Sequence, residues 1–316
     1  MRALVVVLLV AACGGGDPNT GDDDDTAIDA AVSPPVASGC ITEVGTGDHV
    51  LTCSGLQVDI RIPAACQAPG CGLILVLHGD TGSGLLMDGH VKLRERGEAA
   101  GYIVVAPTGP PFGQGFPGST WEAENDAMLI DLVEQTRDVF RVDPRRIHVT
   151  GFSRGGFVTW RLLCDHSDLF ASAAPAGAGN GQNFGEATCF SQNRKPARKL
   201  PILFMLGRTD ASVGYASMTN IRDAAVADYG ATGPVNLAMD ASFRHDRFTG
   251  PSGVIEVFDH AYETVANGPF GSAAGHCIAG STTDPFAPQY AIPCVLPNSF
   301  VWGEEIVKFF QANPMP

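Results

Sequence analysis

Short apolar runs, separated by longer segments of mixed polarity, recur along the chain after its first fifty residues. The continuous runs at 73–77, 102–106 and 202–206 are typical of strands buried on both faces. Shorter or alternating runs predict further strands, at 49–53, 56–62, 146–150, 171–175 and 254–258. The first two of these alternate between polar and apolar positions, as an antiparallel opening pair would.

Between these strands, apolar residues recur at the three- and four-residue spacing of a helix. The clearest helix covers 126–141, because its apolar positions fall on one face and Asp143-Pro144 marks its end. Helices are also predicted over 85–100, from residue 154 to about 164, and over 300–311. Strands that alternate with helices predict one α/β domain, with a mostly parallel central sheet and helices on both faces.

The first 38 residues differ from this pattern. The ten-residue apolar run at 3–12 has the length of a signal-peptide core and is too short to span a bilayer. It ends in Val10-Ala11-Ala12-Cys13, which resembles the lipobox of bacterial lipoproteins and implies lipidation of Cys13. An ordinary secretory signal, cleaved near Ala11 or Ala12, is the alternative. Either signal, occupying residues 1–12, exports the protein.

Residues 13–38 are rich in Gly, Asp, Ser and Pro, so they predict a flexible acidic tether rather than a folded segment. The globular domain is therefore expected to cover 39–316. No later segment is apolar for long enough to form a membrane-spanning helix. We expect membrane contact only through the N-terminal lipid anchor, which would make the protein an outer-membrane or cell-surface lipoprotein; without lipidation it would be secreted.

Charge and composition narrow the possible partners. The 316 residues carry a formal net charge of −14, which argues against nucleic acid because phosphate binding requires clustered Lys and Arg. With 45% hydrophobic and only 17% charged residues, the chain can bury a large core. Composition does not determine the oligomeric state, and we favour a monomer.

The cysteines predict disulfides. Eight of the nine remain if Cys13 is lipidated, and an even number in an exported protein favours disulfides over free thiols. Zinc is disfavoured, because the chain has no Cys-x-x-Cys pair, and no metal is predicted. Proximity along the chain suggests the pairs Cys40–Cys53, Cys66–Cys71, Cys164–Cys189 and Cys277–Cys294.

The segment Gly151-Phe152-Ser153-Arg154-Gly155 contains the motif G-x-S-x-G between a predicted strand and a predicted helix. In this context the motif forms a sharp turn, the nucleophile elbow, that exposes the serine hydroxyl at the carboxyl end of the sheet. The two glycines allow strand and helix to approach closely. Ser153 is therefore the candidate nucleophile.

A nucleophilic serine needs a base, and the base needs a carboxylate; in this fold they follow in the order Ser, Asp or Glu, His. Asp210 ends the loop after the strand at 202–206 and is the candidate acid. Among the three histidines downstream, His276 lies on a loop of small residues and is favoured as the base. His260, directly after a strand, is the alternative, and His245 lies in a polar stretch where we expect it to be solvated.

Two further groups of residues are expected around the serine. Backbone N–H groups of Arg154 and of the turn after residue 77 would stabilise an oxyanion, with Asp80 the first choice in that turn and Thr81 the second. Phe112, Phe116 and Trp121 are predicted to form an apolar wall of the cleft, although Trp121 and one phenylalanine would fit the core equally well.

Five segments, in this order, resemble the secreted polyhydroxybutyrate depolymerase and feruloyl esterase group of α/β-hydrolases. They are LILVLHG at 73–79, DPRRIHVTGFSRGG at 143–156, FASAAPAGAG at 170–179, GRTD at 207–210 and GHC at 275–277. The resemblance spans 48–312 and implies an α/β-hydrolase fold without a large lid domain. It also implies the triad Ser153, Asp210 and His276, and no cofactor.

Two positions depart from the group's pattern. Its members often carry a small or amide residue after the nucleophile, where this chain has Arg154, and 275–280 lacks the tryptophan common in the histidine motif. The expected function is hydrolysis of carboxylic esters, either short-chain polyhydroxyalkanoate-type polyesters or feruloyl and acetyl esters of polysaccharides. The alternatives are a non-catalytic, surface-anchored binding protein that retains the fold, and a serine peptidase.

Overall fold

A computed structural model describes residues 33–113, 118–181, 188–264, 274–282 and 293–316. Cys13 and Phe116, two of the predicted site residues, lie outside the described residues. The strands are β1 (Gly47–Cys53), β2 (Leu56–Ile62), β3 (Gly72–Leu77), β4 (Tyr102–Pro107), β5 (Ile147–Phe152), β6 (Ser172–Ala176), β7 (Ile202–Gly207), β8 (Thr232–Met239), β9 (Phe243–Gly250) and β10 (Gly253–His260). The helices are α1 (Gly84–Val91), α2 (Leu93–Ala99), α3 (Asp126–Phe140), α4 (Arg154–Asp165), α5 (Tyr215–Asp228) and α6 (Trp302–Ala312).

The described strands form one sheet in the order β1-β2-β4-β3-β5-β6-β7-β10-β9-β8. Neighbouring strands from β4 to β10 in this order pair in parallel. At the two sides of the sheet, β2 pairs antiparallel with β4 and β1, and β9 pairs antiparallel with β10 and β8. β5 lies between β3 and β6, and the three strands are parallel, so the loops that follow them meet at the carboxyl end of the sheet. None of the described helices is long and apolar enough to cross a membrane.

The sheet separates two hydrophobic clusters. Helices α3, α4 and α5 pack on one face, around Trp121 and Trp160; α1, α2 and α6 pack on the other, around Trp302 and Phe310. The predicted α/β-hydrolase architecture, with helices on both faces, is confirmed. The described residues form a single unit, Ser33–Pro316, with no separate lid domain among them.

The eight predicted strands are all present, but one helix prediction was wrong in detail. The segment 85–100 forms two helices, because Lys92 adopts a left-handed conformation with φ 51°. The Asp88 carboxylate then accepts hydrogen bonds from the backbone and the guanidinium of Arg94, which stabilises the start of the second helix.

The prediction missed α5, β8 and β9. β8 is exposed along its whole length and contains Pro234, which suits an edge strand and weakens any alternating pattern. The buried residues of α5 are only Met218, Ile221 and Ala225, a stripe too narrow to stand out in the sequence. Helices and strands that bury few side chains show weak hydrophobic periodicity in the sequence.

The structure joins the cysteines in the four pairs suggested by their proximity, with Cα atoms 5.0–5.3 Å apart. Residues 33–38, which we assigned to the tether, lie beside α3, where the guanidinium of Arg141 donates to the carbonyl of Ser33.

Four histidines among the described residues are buried as neutral rings. Burial lowers the pKa of His78, His90 and His260 to about 4 and that of His148 to about 3. In the unfolded chain a histidine has a pKa near 6.5, so between about pH 6.5 and 4 the unfolded state binds protons that the folded state excludes. Folding stability must therefore fall as the pH falls through this range.

We predict that the free energy of unfolding decreases by about 1.4 kcal/mol per pH unit for each of these histidines below pH 6. Urea titrations followed by circular dichroism between pH 7 and pH 4.5 would measure the slope. His148→Leu should make the slope shallower by the contribution of one proton, whatever its effect on absolute stability. A free energy of unfolding that is flat between pH 7 and 5 would contradict the prediction.

Candidate active site

The turn between β5 and α4 places Ser153 at the carboxyl end of the central strand. Ser153 has φ 56° and ψ −120°, a strained conformation for a residue other than glycine. Two backbone hydrogen bonds hold it there, from its N–H to the Ala176 carbonyl at 2.9 Å and from the Phe157 N–H to its own carbonyl at 3.0 Å. The serine side chain is half-buried at the edge where the loops meet.

The glycines on either side of Ser153 are required by close backbone contacts. A Cβ atom at Gly151 would lie 2.4 Å from the carbonyl oxygen of Gly155, and one at Gly155 would lie 2.2 Å from that of Leu77. These distances exclude any side chain. The motif therefore reflects three backbones in contact, those of β5, α4 and the end of β3.

Asp210 and His276 form a buried hydrogen-bonded pair. His276 Nδ1 lies 2.6 Å from Asp210 Oδ2, and the two side chains are 9% and 1% exposed. The other carboxylate oxygen, Oδ1, accepts from the N–H groups of Ser212 at 2.9 Å and Val213 at 2.8 Å. Because Nδ1 donates to the carboxylate, the lone pair of Nε2 remains available to accept a proton.

Two opposing effects act on the Asp210 carboxyl. Burial raises its pKa, but the charge of His276 and the hydrogen bonds from His276, Val213 and Ser212 lower it by more, so its pKa lies below the ordinary value. Asp210 is therefore ionised at neutral pH. A buried carboxylate in this position orients the imidazole and stabilises its protonated form.

His276 packs on the residue that precedes the serine. The rings of Phe152 and His276 have centroids 4.6 Å apart, and Gly177, with φ 54°, lies against both. A Cβ atom at Gly177 would lie 2.8 Å from Phe152 and 3.2 Å from His276 Cε1. The turn after β5, the loop after β7 and the segment beyond β10 therefore bring the predicted nucleophile, acid and base to the carboxyl end of the sheet.

His260 and His245 have other partners. His260 is buried beneath the pair, where Nδ1 accepts from the Tyr262 N–H at 3.2 Å and the ring stacks on Tyr262. The expectation that His245 is solvated was wrong: its Nε2 lies 2.7 Å from Glu256 Oε2, and its ring stacks on Phe258.

The sulfur atoms of Cys277 and Cys294 lie near His260, within the span of a metal site. They are bonded to each other, however, and a disulfide offers no thiolate to a metal ion.

The turn after β3 supplies one candidate oxyanion donor. The N–H of Thr81 donates to the Ser119 carbonyl at 2.7 Å and is therefore engaged, whereas the N–H of Asp80 donates no hydrogen bond to any described residue. The turn approaches the serine closely, since a Cβ atom at Gly79 would lie 3.1 Å from Ser153 Cβ. Arg154 begins α4, so its N–H has no acceptor within the helix. The amides of Asp80 and Arg154 are thus the two candidates.

His78 and Trp121 stabilise this turn through hydrogen bonds. His78 Nδ1 donates to the Gly79 carbonyl at 2.7 Å, and its Nε2 accepts from the Gly109 N–H at 3.0 Å. The prediction of Trp121 as a wall of the cleft was wrong, because the side chain is 0% exposed and its indole N–H donates to the His78 carbonyl at 3.0 Å. Phe112 is half-buried on the same loop.

Sequence reasoning missed an ion pair between the two residues that carry the candidate amides. Arg154 Nε lies 3.1 Å from Asp80 Oδ1 and 3.4 Å from Oδ2. The unusual Arg154 was visible in the sequence as a departure from the common pattern. Its partner, 74 residues away, was not.

Comparisons with known proteins agree with this fold. A family model described as the alpha/beta hydrolase family matches residues 74–300. A protein of Nocardia uniformis subsp. tsuyamanensis named as an esterase, NocK, is 28% identical over 185 residues, which is 56% of this chain and 52% of that protein. The bifunctional acetylxylan esterase/xylanase XynS20E of Neocallimastix patriciarum is 26% identical over 54% of this chain and 24% of its own length. The chain thus spans 52% of the length of the first of these relatives and 24% of the second.

Shorter matches confirm the resemblance drawn from the motifs. Poly(3-hydroxyalkanoate) depolymerase C of Paucimonas lemoignei is 34% identical over 20% of this chain and 16% of its own length; feruloyl esterase B of Piromyces equi is 32% identical over 32% and 20%. Among solved structures, an acetyl xylan esterase from Aspergillus awamori superposes with a TM-score of 0.50 at 19% identity, covering 66% of this chain and 89% of that one. That similarity concerns the fold alone.

The site geometry predicts different outcomes for the two neighbouring histidines. His276→Ala should slow the reaction of Ser153 with a fluorophosphonate probe about a thousandfold, because the serine loses the base that activates it. His260→Ala should change the rate by no more than a few fold. Mass spectrometry of the labelled serine would measure both rates at a temperature where circular dichroism shows both variants folded. If His260→Ala abolished labelling of Ser153 while His276→Ala left the rate unchanged, His260 would be the base instead of His276.

Proposed function

This chain belongs to the α/β hydrolase family, and we propose that it is an exported serine esterase that cleaves carboxylic esters through an acyl-enzyme intermediate. The observation that carries the proposal is the buried Asp210–His276 hydrogen bond at the sheet edge where Ser153 is held in its strained turn. The esterases and depolymerases among its relatives support the same chemistry.

The reaction would proceed in two halves. Ser153 Oγ attacks the ester carbonyl carbon while His276 Nε2 takes the hydroxyl proton, and Asp210 stabilises the imidazolium that forms. The N–H groups of Arg154 and Asp80 stabilise the oxyanion of the tetrahedral intermediate. The intermediate collapses to the acyl-enzyme and expels the alcohol, which takes the proton from His276. Water, deprotonated by His276, then attacks the acyl carbonyl; as the acid is released, His276 returns that proton to Ser153 Oγ and the free enzyme is restored.

The proposed substrates are short-chain polyhydroxyalkanoate-type polyesters or feruloyl and acetyl esters of polysaccharides. Relatives whose names contain poly(3-hydroxyalkanoate) depolymerase, feruloyl esterase and acetylxylan esterase support this range. The described residues form no lid domain that would enclose a long acyl chain. No cofactor enters the proposed reaction.

A catalytic role agrees better with the structure than a non-catalytic binding role does. A binding protein that only retained the fold would have no use for a buried, ionised carboxylate held against an imidazole, because burying a charge has a cost in stability. A peptidase would use the same three residues, so it is distinguished from an esterase by substrate and not by geometry.

Export is proposed from two features. The N-terminal segment carries a signal of the lipoprotein or secretory type, and the structure joins eight cysteines in disulfides, which persist in oxidising compartments. With Cys13 lipidated, the protein would be held at the outer membrane or the cell surface; without lipidation it would be secreted.

The enzymatic proposal has a direct test with p-nitrophenyl acetate. Ser153→Ala should lower kcat by at least about a thousandfold, because loss of the nucleophile leaves only the oxyanion hole and binding. p-Nitroacetanilide, the matched amide, should be cleaved far more slowly than the ester by the native protein. Equal ester hydrolysis by wild type and Ser153→Ala would refute the enzyme, and faster amide cleavage would favour a peptidase.

Substrate length provides a second prediction. Acetyl and butyryl esters of p-nitrophenol should be cleaved at least about tenfold faster than palmitoyl esters, a preference of about 1.4 kcal/mol in transition-state binding. An open cleft holds a short acyl group well, whereas a long chain requires a deep apolar tunnel. A series of kcat/KM values from two to sixteen carbons would show the preference. A maximum at twelve carbons or beyond would contradict the open cleft.

A further inference from the structure

The two proposed oxyanion amides belong to residues whose side chains are bonded to each other. Arg154 Nε lies within hydrogen-bond distance of both Asp80 carboxylate oxygens, at 3.1 and 3.4 Å. The two side chains are 14% and 26% exposed, so water screens the pair less than it screens an ion pair on the open surface. One contact therefore joins the start of α4 to the turn after β3.

The Asp80 carboxylate also joins a third segment. The hydroxyl of Thr120 donates to Oδ1, the oxygen nearest to Arg154 Nε. Neighbouring residues of the same loop contact the turn as well, since the Ser119 carbonyl accepts from the Thr81 N–H and the Trp121 indole donates to the His78 carbonyl. The carboxylate thus lies where the nucleophile turn, the turn after β3 and the segment at 119–121 converge.

The backbone N–H of Asp80 donates to no described residue, so no hydrogen bond of its own fixes its direction. Gly79 precedes Asp80, and Thr81 follows it with φ 63°, so neither neighbour belongs to a regular element. The peptide between Gly79 and Asp80 is held from the carbonyl side, where the Gly79 carbonyl accepts from the Gly82 N–H at 3.1 Å and from His78 Nδ1 at 2.7 Å. That peptide carries the proposed oxyanion donor.

Arg154 stands where helix electrostatics disfavour it. The first residue of a helix lies at the positive end of the helix dipole, where acidic side chains are stabilised and basic ones are not. The Asp80 carboxylate offsets this by neutralising the guanidinium. The arginine at this helix start therefore has a carboxylate partner on the turn after β3.

We propose that the Asp80–Arg154 ion pair is a positioning device that sets the spacing and direction of the two oxyanion N–H groups. The proposal rests on the esterase function proposed above. Both residues would act on the reaction through their backbones, with their side chains holding those backbones in place. A donor displaced by a fraction of an ångström loses part of its effect on the transition state while substrate binding is little changed.

A direct electrostatic effect of Arg154 makes the opposite prediction for one variant. If the guanidinium charge itself stabilised the oxyanion, Asp80→Ala would remove a neutralising carboxylate beside that charge and would raise kcat or leave it unchanged. If the pair positions the amides, Asp80→Ala lowers kcat. The variant therefore distinguishes positioning from charge.

The experiment compares Asp80→Ala, Asp80→Asn, Arg154→Met and the double variant Asp80→Ala/Arg154→Met. We measure kcat and KM with p-nitrophenyl acetate, and the inhibition constant of a trifluoromethyl ketone, whose adduct with the serine places an oxyanion in the same site. Asp80→Ala and Arg154→Met should each lower kcat about ten- to thirtyfold and leave KM within about twofold. The inhibition constant should rise by the same factor as kcat falls.

Two comparisons within the series sharpen the result. Asp80→Asn, which keeps an acceptor for Thr120 and Arg154 but loses the charge, should fall between wild type and Asp80→Ala. The double variant should lose no more than the worse single variant, because either change alone breaks the pair.

Arg94→Met is the matched control. Arg94 Nε donates to Asp88 at 2.9 Å, with side chains 18% and 9% exposed, and the pair lies between α1 and α2. It should lower the melting temperature as much as Arg154→Met does, without changing kcat or the inhibition constant.

Three outcomes would overturn the positioning role. They are an unchanged or higher kcat in Asp80→Ala, losses that multiply in the double variant, and kcat losses in Arg94→Met equal to those in Arg154→Met. Wild-type activity in Ser153→Ala would instead refute the underlying esterase function, so the two failures are distinguishable.

Discussion

The close backbone contact at Ser153 is the constraint on which the rest of the site depends. With Gly151, Gly155 and the carbonyl of Leu77 closer together than any Cβ atom permits, β5, α4 and β3 must meet at a single turn. To make this contact, the serine adopts a strained conformation with φ 56°. The same contact brings the turn after β3 beside the serine, so one backbone contact positions both the proposed nucleophile and the proposed oxyanion donors.

The remaining groups of the proposed triad come from loops that the parallel sheet brings to its carboxyl end. Asp210 follows β7, and His276 comes from a segment beyond β10. Their hydrogen bond at 2.6 Å joins residues 66 positions apart. Burial strengthens this bond and, in the nearby His260, favours the neutral ring. Two histidines in one region thus have different chemistry, because only one of them faces a carboxylate.

The segment that carries His276, the proposed base, is anchored on both sides of this residue. Cys277 is bonded to Cys294, and Ser281 lies 2.8 Å from Nδ1 of the buried His90 on α1. Ahead of it, the Gly275 N–H donates to the Thr209 carbonyl at 3.3 Å, in the loop that ends at Asp210. These contacts hold the base without a regular helix or strand. Catalytic geometry on a loop depends on such anchors, because the loop has no hydrogen-bond ladder of its own.

The sequence by itself determined the features that depend on near neighbours in the chain. Apolar runs were enough to predict the buried strands, and the G-x-S-x-G motif was enough to predict the sharp turn at Ser153, because strand burial and turn chemistry are local properties. Only the tertiary structure decided questions of contact. It showed that the Thr81 amide is engaged, that Trp121 is core, and that Arg154 pairs with Asp80. Those outcomes depend on residues tens of positions apart, and hydrophobic pattern carries no information about which distant side chains meet.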